Sequence, residues 1–319
     1  MSDIIIEPIE KYGLSKKSSK KTLFSKIGII GCGQEGQNIA RIAAISGLEV
    51  IFIEVNQSKV QLAIDNISKE LDSRVENWGL TPTEKKVILQ RISGAVTYDK
   101  LIGCDFVIEA VRANDKTGER SIEVRKEIFK RVEKVVSPDC IIATNATTVI
   151  ITELASELEH KERCLSIHFM VSSPEARIVE VVKGVYTSEA VYNKVSHFVK
   201  LVNRSIVPVQ ESVGLVSIRL FITLLNEACD TLMEGVASKE DINKLTNVGF
   251  GIRHGIFHLA DIMGLEKIVR WGNNLFEEFG ETKYKPSPLI KRLVRAKHGG
   301  VIDGHGFFKY DENGKRIPE

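Results

Sequence analysis

Cysteine is scarce, neither charge sign dominates, and no apolar run is long. The five cysteines (Cys32, Cys104, Cys140, Cys164 and Cys229) are odd in number and scattered. That excludes a disulfide framework and a cysteine-based metal site and points to reduced thiols, so no metal is expected. Lys plus Arg (44) nearly balances Asp plus Glu (42), a net charge of +2. No nucleic-acid partner is implied. No uninterrupted apolar stretch approaches the roughly 20 residues of a membrane span, so no membrane partner is expected either. Residues 1–25 have no apolar segment of the signal-peptide kind; they carry Asp3, Glu7 and Glu10 and lack Arg, unlike a transit peptide. They read as a polar leader, its lysines (Lys16, Lys17, Lys20, Lys21) a solvated tail. What remains is a cytoplasmic globular protein of 319 residues, 43% hydrophobic and 27% charged, with room for two domains and no internal repeat.

The most informative stretch is Lys26 to Glu54. A short apolar run, Ile27 to Ile30, has the length of a buried parallel strand. Gly31-Cys32-Gly33-Gln34-Glu35-Gly36 follows, then a helical pattern to Ser46-Gly47, then a second strand, Val50 to Ile53, ending at Glu54. Glycines in turns are common, but this set lies after a strand, before a helix, and about twenty residues ahead of an acid, as a dinucleotide fingerprint requires. Gly31 permits the tight turn, Gly33 lets the backbone approach a pyrophosphate, and Gly36 lets helix and strand pack closely. The helix N-terminus offers unpaired N–H groups and the positive end of its dipole. Glu54 can accept both ribose hydroxyls while repelling a 2′-phosphate, so the cofactor expected is NAD.

Farther on, Asn56 caps a long helix through Trp78, and Thr81-Pro82-Thr83-Glu84 opens another with a capping box. Strands are expected at Ala95–Tyr98, Phe106–Glu109, Cys140–Thr144, Cys164–Phe169, Arg177–Val182 and Ser205–Val209. Helices are expected at Glu119–Val135, Thr148–Leu158 and Glu189–Asn203. This alternation predicts an α/β fold, a Rossmann-like doubly wound parallel sheet. From Gly214 the pattern is helical: Leu215–Glu234, Lys239–Val248, Ile256–Met263, Lys267–Glu278 and Pro288–Lys297. The expected organisation is a leader (1–25), a dinucleotide-binding domain (26–210) and an all-α C-terminal domain (211–319).

In such a sheet the ligand lies at the carboxyl ends of the strands. Thr144-Asn145-Ala146-Thr147-Thr148 ends one strand; capping of the next helix accounts for one hydroxyl and leaves others for a ligand. His168 ends another. A lone His in an apolar strand is ordinarily a satisfied core residue, but it is also a candidate base. Glu180, flanked by aliphatics in "RIVEVV", needs a partner or solvent, because an unpaired buried carboxylate is costly. If that partner is His168, the carboxylate fixes its tautomer and raises the basicity of the other ring nitrogen.

Several motifs together resemble the 3-hydroxyacyl-CoA dehydrogenase family, including its short bacterial 3-hydroxybutyryl-CoA members. They are "IGIIGCGQEG", "FVIEA", "TNATT", "HFMVSSPEARIVEVV", "NEACDTLMEGVASKEDIN", "GIFHLADIMGL" and "GHGFFKY", in order from about Lys26 to Tyr310. The resemblance implies His168 as catalytic base, Glu180 as its carboxylate partner and Thr147 as a hydroxyl to the substrate oxygen. It places the dinucleotide on Gly31, Gly33, Gln34, Glu35, Gly36, Glu54, Ala110, Val111 and Asn145. It also implies a homodimer through the helical domain, a small-molecule thioester substrate and a place in fatty acid metabolism. The chain departs from the family pattern elsewhere. Val171 and Ile218 stand where the family has Asn, Asn77 and Ile302 where it has Lys, Glu35 adds a charge to the phosphate turn, and the loop Val111–Arg120 is long. The expected reaction is NAD-dependent interconversion of 3-hydroxyacyl-CoA and 3-oxoacyl-CoA. Alternatives are the same chemistry on a free 3-hydroxy acid or carrier-protein thioester, and an NAD-binding protein without turnover.

Glu54 sets the first prediction. NADPH should bind roughly tenfold or more weakly than NADH, one factor of ten being about 1.4 kcal/mol of repulsion. Fluorescence titration of both nucleotides measures it; equal affinities would place Glu54 away from the ribose.

Overall fold

A computed structural model describes residues 23–77, 79–111, 122–170 and 177–318. The leader up to residue 22, Val171 and most of the Val111–Arg120 loop therefore lie outside the described residues. The first half builds a sheet from β1 (Lys26–Ile30), β2 (Glu49–Ile53), β3 (Ile92–Ala95), β4 (Phe106–Glu109), β5 (Ile141–Thr144), β6 (Cys164–Phe169), β7 (Ile178–Lys183) and β8 (Ser205–Gln210). Its order is β3-β2-β1-β4-β5-β6-β7-β8. The strands up to β6 run parallel, but β7 is antiparallel to β6 and parallel to β8, so the sheet is not parallel throughout. Between Phe169 and Ile178 there are too few residues for the crossover of a dozen or more that a parallel pair needs, so an antiparallel pairing is the one the length allows.

The helices between strands are α1 (Gln34–Ile45), α2 (Gln57–Glu76), α3 (Pro82–Gln90), α4 (Ile122–Glu133), α5 (Ile151–Ala155) and α6 (Glu189–Leu201). Strand residues alternate between two cores, as their period of two demands. Val50, Phe52, Ile141, Ile167, Phe169, Val179 and Val181 face the layer of α1, α2 and α6. Ile51, Ile53, Val107 and Ile142 face α4 and α5. Both faces of the sheet are thus covered, as a doubly wound fold requires. The caps are as the sequence predicts: Asn56 accepts the Lys59 N–H, and Thr81 and Glu84 cap each other's backbone reciprocally.

Several boundaries differ from expectation. The third strand is Ile92–Ala95, in register with Val50–Ile53, and the chain then leaves the sheet for a 3₁₀ turn at Tyr98–Leu101. The helix predicted over Thr148–Leu158 shortens to α5, whose N-cap Ile150 offers no side-chain cap. Its Thr152 N–H is taken instead by Glu211 Oε1 at 2.7 Å, from beyond β8. The leader's last residues also belong to the fold. Phe24 is 2% exposed and lies 5.3 Å and 6.0 Å, ring to ring, from Phe198 and Phe106. Ser25 donates its N–H and hydroxyl to Asp105.

After β8 come α7 (Ser217–Met233), α8 (Lys239–Lys244), α9 (Ile256–Met263), α10 (Leu265–Phe279) and α11 (Pro288–Arg295) around a separate core that includes Ile218, Leu225, Phe257, Leu275 and Phe308. The helix expected to reach Val248 ends α-helically at Lys244 and widens into a π turn over Leu245–Gly249. Asp261 of α9 anchors the last segment, accepting the Phe307 and Phe308 N–H groups and the Tyr310 hydroxyl. A two-residue hairpin, β9 (Lys309–Tyr310) with β10 (Arg316–Ile317), ends this otherwise helical domain.

Phe24→Ala should destabilise the protein by about 3–5 kcal/mol, the usual cost of emptying a buried phenylalanine site. Urea unfolding measures it; a change under about 0.5 kcal/mol, as at ordinary surface positions, would return Phe24 to the leader.

Candidate active site

β1 delivers the chain to Gly31, whose φ of +85° lies where side-chain-bearing residues are strained. A Cβ there would also meet Val111 Cα at 3.1 Å and the Ala110 oxygen at 3.2 Å. The turn thus packs on Ala110 and Val111, which follow the neighbouring strand β4. Gly36 is tighter: a Cβ would lie 2.1 Å from the Gly31 oxygen. Gly33 is the opposite, with no atom of the described residues within 4 Å of where its Cβ would stand. It is the N-cap of α1 and gives no side-chain cap, leaving the first amides of the helix for an anion. Gln34 is exposed on that first turn. Glu54, at the end of β2, accepts the Cys32 N–H at 2.6 Å and so adjoins the same turn. An open backbone face, a helix N-terminus and a carboxylate at the second strand fit a dinucleotide.

The sheet's reversal brings the candidate base and carboxylate together. His168 on β6 stands directly opposite Glu180 on β7, and Nδ1 lies 2.8 Å from Oε2. Val179 and Val181 point to the far core, so the aliphatic neighbours that made Glu180 look costly are on the other face. Glu180 is 3% exposed but fully engaged. Its Oε1 accepts the N–H groups of Val216 and Ser217 at 3.0 Å, and Oε2 accepts the Ser217 hydroxyl at 2.7 Å. Burial alone would raise its carboxyl; the hydrogen bonds from His168 and Ser217 outweigh that and hold it below the usual glutamate range.

The turn after β5 serves other tasks than helix capping. Thr144 donates to Glu109 Oε2 at 2.6 Å, and its hydroxyl oxygen accepts the Ala146 N–H. Asn145 donates to Glu35 Oε2 at 2.7 Å and accepts the Phe169 N–H at 3.0 Å, tying the phosphate turn to the end of β6. Thr148 accepts from Asn274 of α10 at 2.9 Å. Thr147 is buried, its carbonyl held by the Gly214 N–H, and its hydroxyl makes no hydrogen bond among the described residues.

Groups that sequence reasoning missed complete the surroundings. Glu109 is 1% exposed; it accepts from Arg125 Nε and from the Val111 N–H at 2.7 Å, and so shapes the chain beside Gly31. Its place at the end of "FVIE" was the available signal. Ser217 and Lys267, which pairs with Glu35, gave none. Among the departures from the family pattern, Ile218 is 2% exposed inside the helical core, Asn77 ends α2 with its side chain on the Ser73 carbonyl, and Ile302 is 82% exposed.

A glycine turn opening a helix, with an acid at the second strand and a buried histidine–carboxylate pair, has the features of one class: a nicotinamide-dinucleotide oxidoreductase. Residues 26–212 match the 3-hydroxyacyl-CoA dehydrogenase NAD binding domain, and residues 214–310 match the C-terminal domain of the same enzymes. The chain belongs to the 3-hydroxyacyl-CoA dehydrogenase family, and its cofactor is NAD. A probable 3-hydroxybutyryl-CoA dehydrogenase of Bacillus subtilis is 32% identical over 287 residues, spanning 90% of this chain and 98% of the relative. Among solved structures, (S)-3-hydroxybutyryl-CoA dehydrogenase PaaH1 from Ralstonia eutropha matches with a TM-score of 0.80 and 30% identity, over 91% of this chain and 100% of that one. M. tuberculosis FadB2 matches with a TM-score of 0.85 and 29% identity, over 90% and 99%.

The two glycines separate binding from folding. Gly36→Ala forces its methyl into backbone and should cost about 1–3 kcal/mol of stability, measured by denaturant unfolding. Gly33→Ala meets no atom of the described residues, so stability should hold while NADH affinity falls. An alanine at Gly33 that leaves the NADH dissociation constant unchanged would move the pyrophosphate elsewhere.

Proposed function

We propose that this protein interconverts a 3-hydroxyacyl and a 3-oxoacyl substrate with NAD, using His168 as general base. The observation that carries the reading is the 2.8 Å contact between His168 Nδ1 and Glu180 Oε2. An ionised carboxylate only accepts, so the hydrogen resides on Nδ1 and the lone pair on Nε2. Nε2 takes the proton of the substrate hydroxyl, and Glu180 stabilises the imidazolium that results. In the reductive direction the same nitrogen returns the proton to the carbonyl oxygen. When bound, the cofactor supplies the hydride acceptor at the substrate's C3. The buried Thr147 hydroxyl serves the reacting oxygen. Gly31, Gly33, Gln34, Glu35, Gly36, Ala110, Val111 and Asn145 hold the dinucleotide, with Glu54 on the ribose.

The names of the relatives support a CoA thioester as substrate and a role in acyl-chain metabolism. A free 3-hydroxy acid or a carrier-protein thioester is the second reading. Ile218 packed in the core and Asn77 engaged with its own helix favour it, since neither offers the polar contact the family pattern has there. We place the protein in the cytoplasm, where its five free cysteines fit a reducing compartment. We also infer a homodimer through the helical domain; exposed Leu220, Val236, Leu245, Val248 and Phe250 supply apolar surface for it.

His168→Ala should lower kcat by roughly 10²- to 10⁴-fold while NADH affinity is unchanged. With acetoacetyl-CoA, the wild type should fall below the roughly 10⁴ M⁻¹s⁻¹ common for kcat/KM. Steady-state kinetics with NADH decide both. A fully active His168→Ala protein returns the residue to a structural role.

A further inference from the structure

The turn that receives a pyrophosphate contains Glu35, a negative charge where a phosphate is expected, and the structure accounts for it through the other domain. Glu35 Oε1 pairs with Lys267 Nζ from the first turn of α10, while Oε2 accepts from Asn145. Asn145 also holds the Phe169 N–H, next to His168. Burial would raise the Glu35 carboxyl, but Lys267, by charge and by hydrogen bond, with further help from His168 and Asn145, holds it below the usual range. Through Asn145, Glu35 and its lysine are tied to the strand end that carries the base. Both oxygens of Glu35 are engaged.

Lys267 is different. An ammonium has three N–H donors, and Glu35 uses one. The side chain is 31% exposed and lies over the Trp271 ring, with Nζ 4.8 Å from its centroid. No second acceptor for Nζ exists among the described residues. A lysine in the first turn of a helix also opposes the helix dipole, a local conflict of the kind found at functional positions. The group that completes this arrangement is an acceptor, and a charged one matches the ammonium best.

We propose that Lys267, aimed by Glu35, is an oxyanion-recognition residue of the substrate pocket, and that the substrate bears a free carboxylate in addition to its 3-hydroxyl. This rests on the reading of His168 as the site of chemistry. The carboxylate has two sources: C1 of a free 3-hydroxy acid, or the far end of an acyl chain carried as a thioester. Lys267 then favours a carboxylate-bearing chain over a plain alkyl one, which offers its donors no acceptor in place of water.

The test is calorimetric titration of the NAD⁺-saturated protein with 3-hydroxybutyrate, 3-hydroxyadipyl-CoA and 3-hydroxybutyryl-CoA, for wild type and Lys267→Met. One charged hydrogen bond predicts that Lys267→Met weakens a carboxylate-bearing ligand roughly 10- to 100-fold and 3-hydroxybutyryl-CoA by less than about twofold. Whichever carboxylate ligand responds locates the group. Equal weakening of all three ligands, or of NADH, would make the pair a domain latch and overturn the proposal. So would no response from either carboxylate. Lys267→Gln, which removes the charge but keeps a neutral donor for Glu35, repeats the measurement if Lys267→Met does not fold. The same titration with His168→Ala reads binding apart from turnover, so a failure of the base assignment is seen separately.

Discussion

Glu180 is a carboxylate enclosed between a sheet and a helix, and a buried charge must be satisfied on all sides or it unfolds its surroundings. Here the partners come from two places. His168 approaches from the next strand, and the Ser217 hydroxyl and two backbone N–H groups come from the start of α7. The same atoms therefore orient the imidazole, supply acceptors to helix amides that have no side-chain cap, and dock one domain on the other. Base geometry and domain arrangement cannot vary independently. A change that tilts α7 also turns the ring, which ties the site's precision to packing far from it.

Much of this was legible in the chain. The glycine turn was readable because its glycines answer separate steric demands, and the positive φ of Gly31 and the close backbone approach at Gly36 are where the pattern puts them. The His168–Glu180 pairing followed from chemistry alone: a carboxylate among valines needs a partner, and the histidine was the one available. The caps of α2 and α3 were legible too, since they depend on residues three apart.

What escaped depends on residues far apart in sequence. Lys267 and Glu35 are 232 positions apart, and nothing local in either segment announces the other. The reversal of β7 was hidden because its aliphatic run reads alike in either strand direction. The shortening of α5 has the same origin: periodicity suggested a longer helix, but Thr144, Asn145 and Thr148 were engaged by Glu109, Glu35 and Asn274 from other elements. Phe24 looked like the end of a polar leader because its two aromatic neighbours lie far along the chain.

The hold of Glu54 on the Cys32 amide has a consequence for the energetics of ligand entry. The acid draws the glycine turn toward the second strand with a hydrogen bond made within the protein itself. The turn is therefore already shaped for its guest, and little conformational entropy is left to lose when the guest arrives. Preorganisation of this kind lets affinity follow from contacts alone. Backbone coordinates around Gly31 to Gly36 would then be nearly the same in free and loaded protein, with motion on binding confined to the side chains that meet the substrate.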